Sequence, residues 1–239
     1  MSKLGLASNF QDEAGNLEAI WDTFKDIVDL WTVVDSGSSD GTQQKLKELA
    51  GDKLNLIESD MIHKNGYGYS RTKLIEYSEG MDWVLIWDGD ERMHPNDVKK
   101  VKFLVDYNPD VDIIFLPRAH YQKWDESVVE YGSMTVTGPD WNEAIRRNPD
   151  WQPRLIKRTM IEGKSKVHYQ RRVHELIQGI DRQIRNIDNP VIRHFGFLKP
   201  PERLKMVSDL CQTLWKADQA GEPMEVSYEQ ACKENNWRF

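Results

Sequence analysis

Short apolar runs alternate with longer stretches that carry apolar residues at helical spacing through the first half of the chain. Leu4–Ala7 reads as a strand, and Glu13–Val28 as a helix with Leu17, Ile20, Trp21, Phe24, Ile27 and Val28 along one face. Leu30–Val34 is then a strand, Thr42–Ala50 a helix, Leu54–Ile57 a strand, Tyr69–Ser78 a helix and Trp83–Trp87 a strand. Pro95 opens a helix over Asn96–Tyr107, and Ile113–Leu116 follows as the fifth strand. Alternation of this kind predicts βαβ units, and hence an α/β fold with a Rossmann-like, mainly parallel sheet flanked by helices.

The pattern breaks after Pro117. Residues 118–150, with Trp124, Gly132, Gly138, Pro139 and Trp141, read as an irregular excursion over one edge of the sheet that holds only short pieces such as Ser127–Tyr131. Arg154–Lys157 and Pro190–Arg193 read as further strands. Pro200–Pro201 starts a helix to about Ala217, with Leu204, Val207, Leu210, Leu214 and Trp215 on one face, and a shorter helix is expected near Tyr228–Asn235. One domain over residues 1–198, with a helical extension over 199–239, accounts for this order. Within the domain the division falls at residue 117.

Open α/β sheets bind ligands beyond the carboxyl ends of their strands. Polar residues do cluster there: Asn9, Gln11 and Glu13 after the first strand, Asp35 after the second, Asp88 and Asp90 after the fourth. Two carboxylates separated by one residue, on the loop after a buried strand, can hold a hard divalent cation such as Mg²⁺ or Mn²⁺ from one side. Diphosphate oxygens then complete the coordination. The chain has a second copy of the pattern, Asp110-Val-Asp112, but that copy precedes a strand and so belongs to the opposite end of the sheet. Asp35 begins the turn-rich Asp35-Ser-Gly-Ser-Ser-Asp40-Gly-Thr42, where Asp40 is expected to cap the next helix and Asp35 to accept hydrogen bonds from a base or ribose.

Composition narrows the partners. A net charge of −7 argues against nucleic acid, because phosphate backbones attract basic surfaces. No stretch approaches the ~20 apolar residues of a membrane span, so no transmembrane segment is expected. Two cysteines, Cys211 and Cys232, lack metal-type spacing and do not make a disulfide framework, which fits a reducing, cytoplasmic setting. The nine tryptophans are read mostly as packing residues, although flat aromatic faces also suit carbohydrate sites; Trp124, Trp141 and Trp151 fall in or beside the irregular region.

Taken in order, these segments resemble family 2 glycosyltransferases of the GT-A fold. Asp12-Glu-Ala-Gly-Asn-Leu17 is similar to the family segment after strand one. Val33-Val-Asp-Ser-Gly-Ser-Ser-Asp-Gly-Thr42 is close to its second motif, and Ser70-Arg71 followed by Asp82-Trp-Val-Leu-Ile-Trp-Asp-Gly-Asp-Glu91 to its third. Pro153-Arg-Leu155, Val173-His-Glu175 and Arg193-His-Phe-Gly-Phe197 resemble the small lipopolysaccharide-core glucosyltransferases of that family. Two departures are Asp12, where the family usually has Asn, and Gln11, where it often has an aromatic.

The resemblance implies an inverting, metal-dependent hexosyltransferase acting on a nucleotide sugar, UDP-sugar foremost, and a glycan, lipid-linked or protein acceptor. It implies that Asn9 and Gln11 line the base pocket, with Asp35 on base or ribose and Arg71 near ribose or diphosphate. Asp88 then serves ribose or metal, Asp90 binds the metal, and His194 is a third ligand for Mn²⁺ or Mg²⁺. Inversion needs a group that takes the acceptor proton; Glu175 is the candidate, with Glu91 and Asp140 behind it. Arg154 and His174 are candidates for substrate contact, and His63, His94, His120 and His168 are read as ordinary residues. Three other readings compete. A haloacid-dehalogenase-like phosphatase also places Asp-x-Asp after a strand, but Arg92 stands where its motif has Thr or Val. A nucleotidyltransferase needs a glycine-rich loop that Ser8–Gly15 lacks, and a non-catalytic sugar-binding homologue predicts sugar binding without nucleotide or metal.

Overall fold

Leu4, Leu6 and Ala7 are completely buried on β1 (Leu4–Phe10), and so is the centre of each strand beside it. β1 pairs in parallel with β2 (Leu30–Asp35), from Gly5 opposite Leu30 to Phe10 opposite Asp35, and with β4 (Trp83–Ile86), from Leu4 opposite Trp83 to Ala7 opposite Ile86. β3 (Leu54–Glu58) extends the sheet beyond β2. The carboxyl ends of these strands therefore share one rim. The computed structural model describes residues 1–121, 128–131, 134–137, 150–173, 175–185, 190–199 and 201–221.

Alternate residues of the strands feed two cores. Leu6, Val33 and Leu85 face α1 (Leu17–Phe24), α2 (Thr42–Ala50) and α4 (Pro95–Tyr107), while Ala7, Val34, Val84 and Ile86 face α3 (Met61–Tyr77). Strands buried on both faces are why these segments read as continuous apolar runs. Aromatic pairs set the first core: Trp21 stacks on Trp31 at 5.4 Å between ring centres, and Phe24 meets the Trp87 ring edge-on at 4.8 Å.

The sheet runs β3-β2-β1-β4-β9-β6-β15-β5. β9 (Asp150–Lys157) inserts antiparallel between β4 and β6 (Ile113–Tyr121). β15 (Ile192–His194) lies parallel to β6 and antiparallel to β5 (Glu91–Met93). β7 (Val128–Tyr131) and β8 (Met134–Thr137) form a ribbon from the end of β6, and β14 (Gln183–Arg185) pairs with its start. Two small hairpins, β10 (Met160–Ile161) with β11 (Lys164–Ser165) and β12 (His168–Gln170) with β13 (Leu176–Gln178), follow β9. Helix α5 (Pro201–Ala220) closes the described chain. Among the described residues no helix is long and apolar enough to cross a membrane.

Several expected boundaries move, each for a local reason. Strand one continues to Phe10, so Asn9 lies within β1 and not after it. Helix α1 begins only at Leu17, because residues 13–16 form a turn closed by the Asn16 N–H on the Glu13 carbonyl (2.8 Å); Val28 joins the core from beyond its end. α3 begins at Met61 and crosses a break at Gly66 (φ 85°, ψ 174°). A Cβ at Gly66 would lie 2.4 Å from the Arg172 Cα, so glycine admits the segment that crosses the helix there. β6 runs through Pro117 to Tyr121, where an irregular excursion was expected, because β9 pairs alongside with a register shift between Ile114 and Phe115. The helix expected near Tyr228–Asn235 lies outside the described residues, as do Trp124, Trp141 and Cys232.

Candidate active site

Past β4 the chain stays extended just long enough for the Trp87 N–H to reach the Ala7 carbonyl (2.9 Å). It then turns, with the Glu91 N–H on the Asp88 carbonyl (3.1 Å). That turn presents Asp88 and Asp90 at the shared rim. The Asp88 carboxylate accepts from Arg71 Nη2 at 3.0 Å on each oxygen and from Arg154 Nη2 at 2.9 Å. Burial pushes its pKa up, but the two guanidinium charges outweigh burial and hold it well below the usual carboxylate range. Arg154 also reaches Glu91, and both side chains are completely buried. Burial raises the Glu91 carboxyl to about 7 against the opposing charge of Arg154.

Asp90 meets different partners. Lys199 Nζ lies 2.8 Å from Oδ2, and His194 Nε2 lies 3.7 Å from Oδ1. Burial works to raise the Asp90 pKa; Lys199 and His194 more than offset it, and the group sits below its ordinary value. Burial is also the main influence on His194, whose pKa falls to about 4, so its imidazole is neutral at neutral pH.

A hollow of about 240 Å³ opens above these carboxylates. Its walls include Asn9, Gln11, Arg71, Asp88, Asp90 and His194, so six residues expected from sequence converge on one space. Asn9 Oδ1 accepts from Ser70 Oγ at 2.6 Å, which fixes the side chain of a residue inside β1. Asp35, fully buried, lines an adjoining hollow of about 620 Å³ that shares Ser36 and His63 with the first. Its carboxylate accepts from the N–H groups of Gly37 (3.1 Å) and Ser38 (3.0 Å) and from Gln43 Nε2 (2.8 Å). Asp12, at φ 56°, holds the same loop by accepting from the Ser39 N–H at 2.7 Å. Asp40 was expected to cap α2, but the capping position falls on Gly41 with no side-chain cap; Asp40, one residue earlier, accepts from the Thr42 N–H (3.0 Å) and from the Ala14 N–H (2.9 Å).

Other expected residues sit elsewhere. Arg154 lies beneath the rim, sealed from solvent, and grips Asp88 and Glu91 instead of lining the hollow. Glu91 is equally sealed, which removes it as an alternative base exposed to an acceptor. Glu175 Oε1 stands 3.4 Å from Arg71 Nη1, so it joins the Asp88 network. Arg172 pairs with Asp218. Trp151 lies on β9 opposite Pro117. His174 and Asp140 fall outside the described residues. Sequence reading missed His63, Tyr67 and Lys199, which all line the hollow. The periodicity of α3 carried a signal for Tyr67, four residues before Arg71; Lys199 carried none.

Among the described residues, no group of three or more His, Cys, Asp or Glu side chains is gathered into a metal-ligand set. Two features nevertheless fit a divalent cation beside Asp90. A Cβ on Gly196 would fall 2.5 Å from His194 Nε2 and 3.0 Å from Asp90 Oδ2, so the missing side chain leaves a cradle between an imidazole nitrogen and a carboxylate. The Lys199 ammonium against Asp90 shows that this carboxylate already attracts a cation. Oxygen and imidazole donors suit Mn²⁺ or Mg²⁺. Asp88, held by two arginines, is the less available ligand.

Sheet order, helices on both faces and a carboxylate-bearing rim define the GT-A fold class, and solved structures agree. Similar folds include S. aureus TarS (TM-score 0.50, 14% identity), where the match covers 87% of this chain and 40% of that one. The chain thus spans two fifths of that TarS chain. A mycobacterial protein is similar at TM-score 0.52 and 14% identity over 93% of this chain and 76% of that one. Glucosyl-3-phosphoglycerate synthase from Mycobacterium tuberculosis, solved with Mn²⁺, uridine-diphosphate and phosphoglyceric acid, is similar at TM-score 0.50 and 14% identity over 93% of this chain and 80% of that one. None of the curated proteins matches. Residues 17–171 match the family described as glycosyl transferase family 2, and the chain belongs to that family.

Proposed function

We propose that this chain is an inverting glycosyltransferase that moves a sugar from a nucleotide diphosphate sugar, UDP-sugar foremost, to a hydroxyl of a glycan, lipid-linked or protein acceptor. The observation that carries this reading is the convergence of Asn9, Gln11, Arg71, Asp88, Asp90 and His194 on one hollow at the carboxyl rim. The UDP and Mn²⁺ held by the mycobacterial synthase of similar fold support the choice of donor and ion. Residues 1–117 would carry the donor and 118–198 the acceptor. Lys199 and Val207, from the extension at 199–239, complete the donor wall.

Asp90 and His194 would hold Mn²⁺ or Mg²⁺, which when bound neutralises charge developing on the leaving diphosphate. Asn9 and Gln11 meet the base, Asp35 takes base or ribose from the adjoining hollow, and Asp88 orients ribose. Arg71 links Asp88 to Glu175, so the donor side and the acceptor side share one rigid connection. As the acceptor oxygen bonds to the anomeric carbon, the bond from that carbon to the diphosphate oxygen breaks and its electron pair leaves with the diphosphate. The acceptor proton goes to the Glu175 carboxylate. Arg154 does not touch substrate; it keeps Asp88 and Glu91 in place.

A screen of nucleotide sugars for Mn²⁺- or Mg²⁺-dependent release of the nucleoside diphosphate identifies the donor. With that donor, Glu175→Gln is expected to bind normally and to lose about 10²–10⁴-fold in turnover. Full turnover in the variant removes Glu175 as the base.

A further inference from the structure

Three adjacent strands bring Asp150, Arg118, His120 and His194 into one row. Arg118 and Asp150 are register partners across β6 and β9, and His120 and His194 are register partners across β6 and β15. Arg118 and His120 are two residues apart on one strand and so share a face of the sheet. The contacts follow that layout. His120 Nε2 lies 3.1 Å from Asp150 Oδ2, the oxygen that also accepts from Arg118 Nε at 2.9 Å. His120 Nδ1 lies 2.8 Å from His194 Nδ1. The remaining nitrogen of His194, Nε2, faces Asp90 Oδ1 at 3.7 Å across the cradle left by Gly196.

The order of these contacts dictates where the protons sit. An ionised carboxylate only accepts, so the proton on His120 is at Nε2. The 2.8 Å contact between the two Nδ1 atoms needs one donor and one acceptor. When His194 is the donor, through Nδ1–H, its lone pair is left on Nε2, pointing at the cradle. The reverse arrangement, with a doubly protonated His120, would give His194 an Nε2–H aimed at Asp90 and no lone pair for a cation.

We propose that Asp150 and His120 are positioning residues that fix the tautomer of His194, so that its Nε2 presents a lone pair beside Asp90 and is ready to bind a divalent cation. This inference rests on the metal-dependent reading given above. It also accounts for why His120, a residue with no place in the hollow, stands two residues beyond Arg118 and against the half-buried Asp150. Metal-ligating histidines are commonly oriented in this way through the second ring nitrogen, and losing such a partner typically weakens metal binding by about 10–100-fold.

The test uses the full chain, metal-free, with ¹⁵N-labelled imidazoles, and reads two-bond ¹H–¹⁵N correlations at neutral pH, with signals assigned through His120→Gln and His194→Gln. The expected result is Nδ1–H for His194 and Nε2–H for His120; Nε2–H on His194 overturns the proposal. Mn²⁺ affinity in the presence of UDP, read by electron paramagnetic resonance, supplies the second arm. His120→Ala and Asp150→Ala are expected to weaken it by about 10–100-fold, while Asp150→Asn, whose amide oxygen still accepts from His120, retains most of it. If His194→Ala weakens Mn²⁺ binding and His120→Ala leaves it unchanged, the relay is wrong and the metal site stands. If the wild-type chain binds no Mn²⁺ with UDP, the metal-dependent reading falls and takes this inference with it.

Discussion

Asp-x-Asp occurs twice in the chain, and the two copies end in opposite surroundings. Asp110 and Asp112 precede β6, at the rim away from the hollow. The Asp112 carboxylate accepts from the N–H groups of Asp181 (2.8 Å) and Arg182 (3.0 Å) and from Lys166 Nζ (2.8 Å), and so staples a loop to the start of a strand. Asp88 and Asp90 follow β4 and meet side-chain cations: two arginines for the first and Lys199 for the second, with the neutral His194 imidazole beside it. The Asp112 carboxylate is committed to a loop and to Lys166 at a rim that has no part in the hollow. A carboxylate facing a flexible ammonium can exchange it for another cation. The pattern of letters is the same; position on the sheet and the nature of the partners separate a structural staple from a binding group.

The contrast can be broken most sharply by alanine at one member of each pair. Asp90→Ala is expected to lower sugar transfer by about 10³-fold or more, since the ion it is proposed to seat would supply several kcal/mol. Asp112→Ala should leave the turnover of correctly folded protein close to wild type. Equal losses in the two variants would end the distinction. Beneath the active rim, Arg154→Met strips the buried Glu91 of its partner and is expected to cost about 3–5 kcal/mol. In a chain of this size that lowers Tm by roughly 10 °C; an unchanged Tm in calorimetry would contradict the ion pair.

On the staple side the effect is smaller. Asp112→Ala abandons two backbone donors and is expected to cost about 1–3 kcal/mol, read as a lower midpoint of urea unfolding. The smallest effect concerns His63, in the wall shared by the two hollows, whose Nε2–H donates to the Ser36 carbonyl at 3.3 Å. Burial, the largest influence, holds its pKa below the ordinary 6.5, while that carbonyl and Asp60 pull the other way. As pH falls below 6.5 the unfolded chain takes up a proton that the folded chain does not. The contribution of His63 to stability is therefore present above that pH and declines below it, by at most about 1.4 kcal/mol per pH unit. His63→Gln should flatten this decline in urea unfolding at pH 7 and pH 5; parallel profiles for the two proteins would contradict it.

Much of the rim was legible in the sequence because it is built from local signals. Trp83–Ile86 announces a buried strand, and whatever follows such a strand in a parallel sheet faces the ligand side. Asp35, Asp88 and Asp90 could be placed on that ground alone. What could not be read depends on contacts between distant segments. β9 enters between β4 and β6 from the far side of residue 117, and only that insertion brings Arg154 under Asp88 and Asp150 beside His120. Glu175 shows the same limit: its near neighbours Arg171 and Arg172 were the obvious partners, and only the fold supplies Arg71. The start of α3 was hidden by Gly66, which resembles a helix breaker in sequence and serves in the fold as clearance for Arg172.

The central claim is that the carboxylates beyond β4 seat a divalent cation that in turn holds a nucleoside diphosphate. Calorimetric titration of UDP into the wild-type chain, with Mn²⁺ and then with EDTA, tests it most directly. The account predicts binding with Mn²⁺ that is lost in EDTA and in Asp90→Ala but kept in Asp112→Ala. UDP binding of equal strength with and without the ion would contradict it.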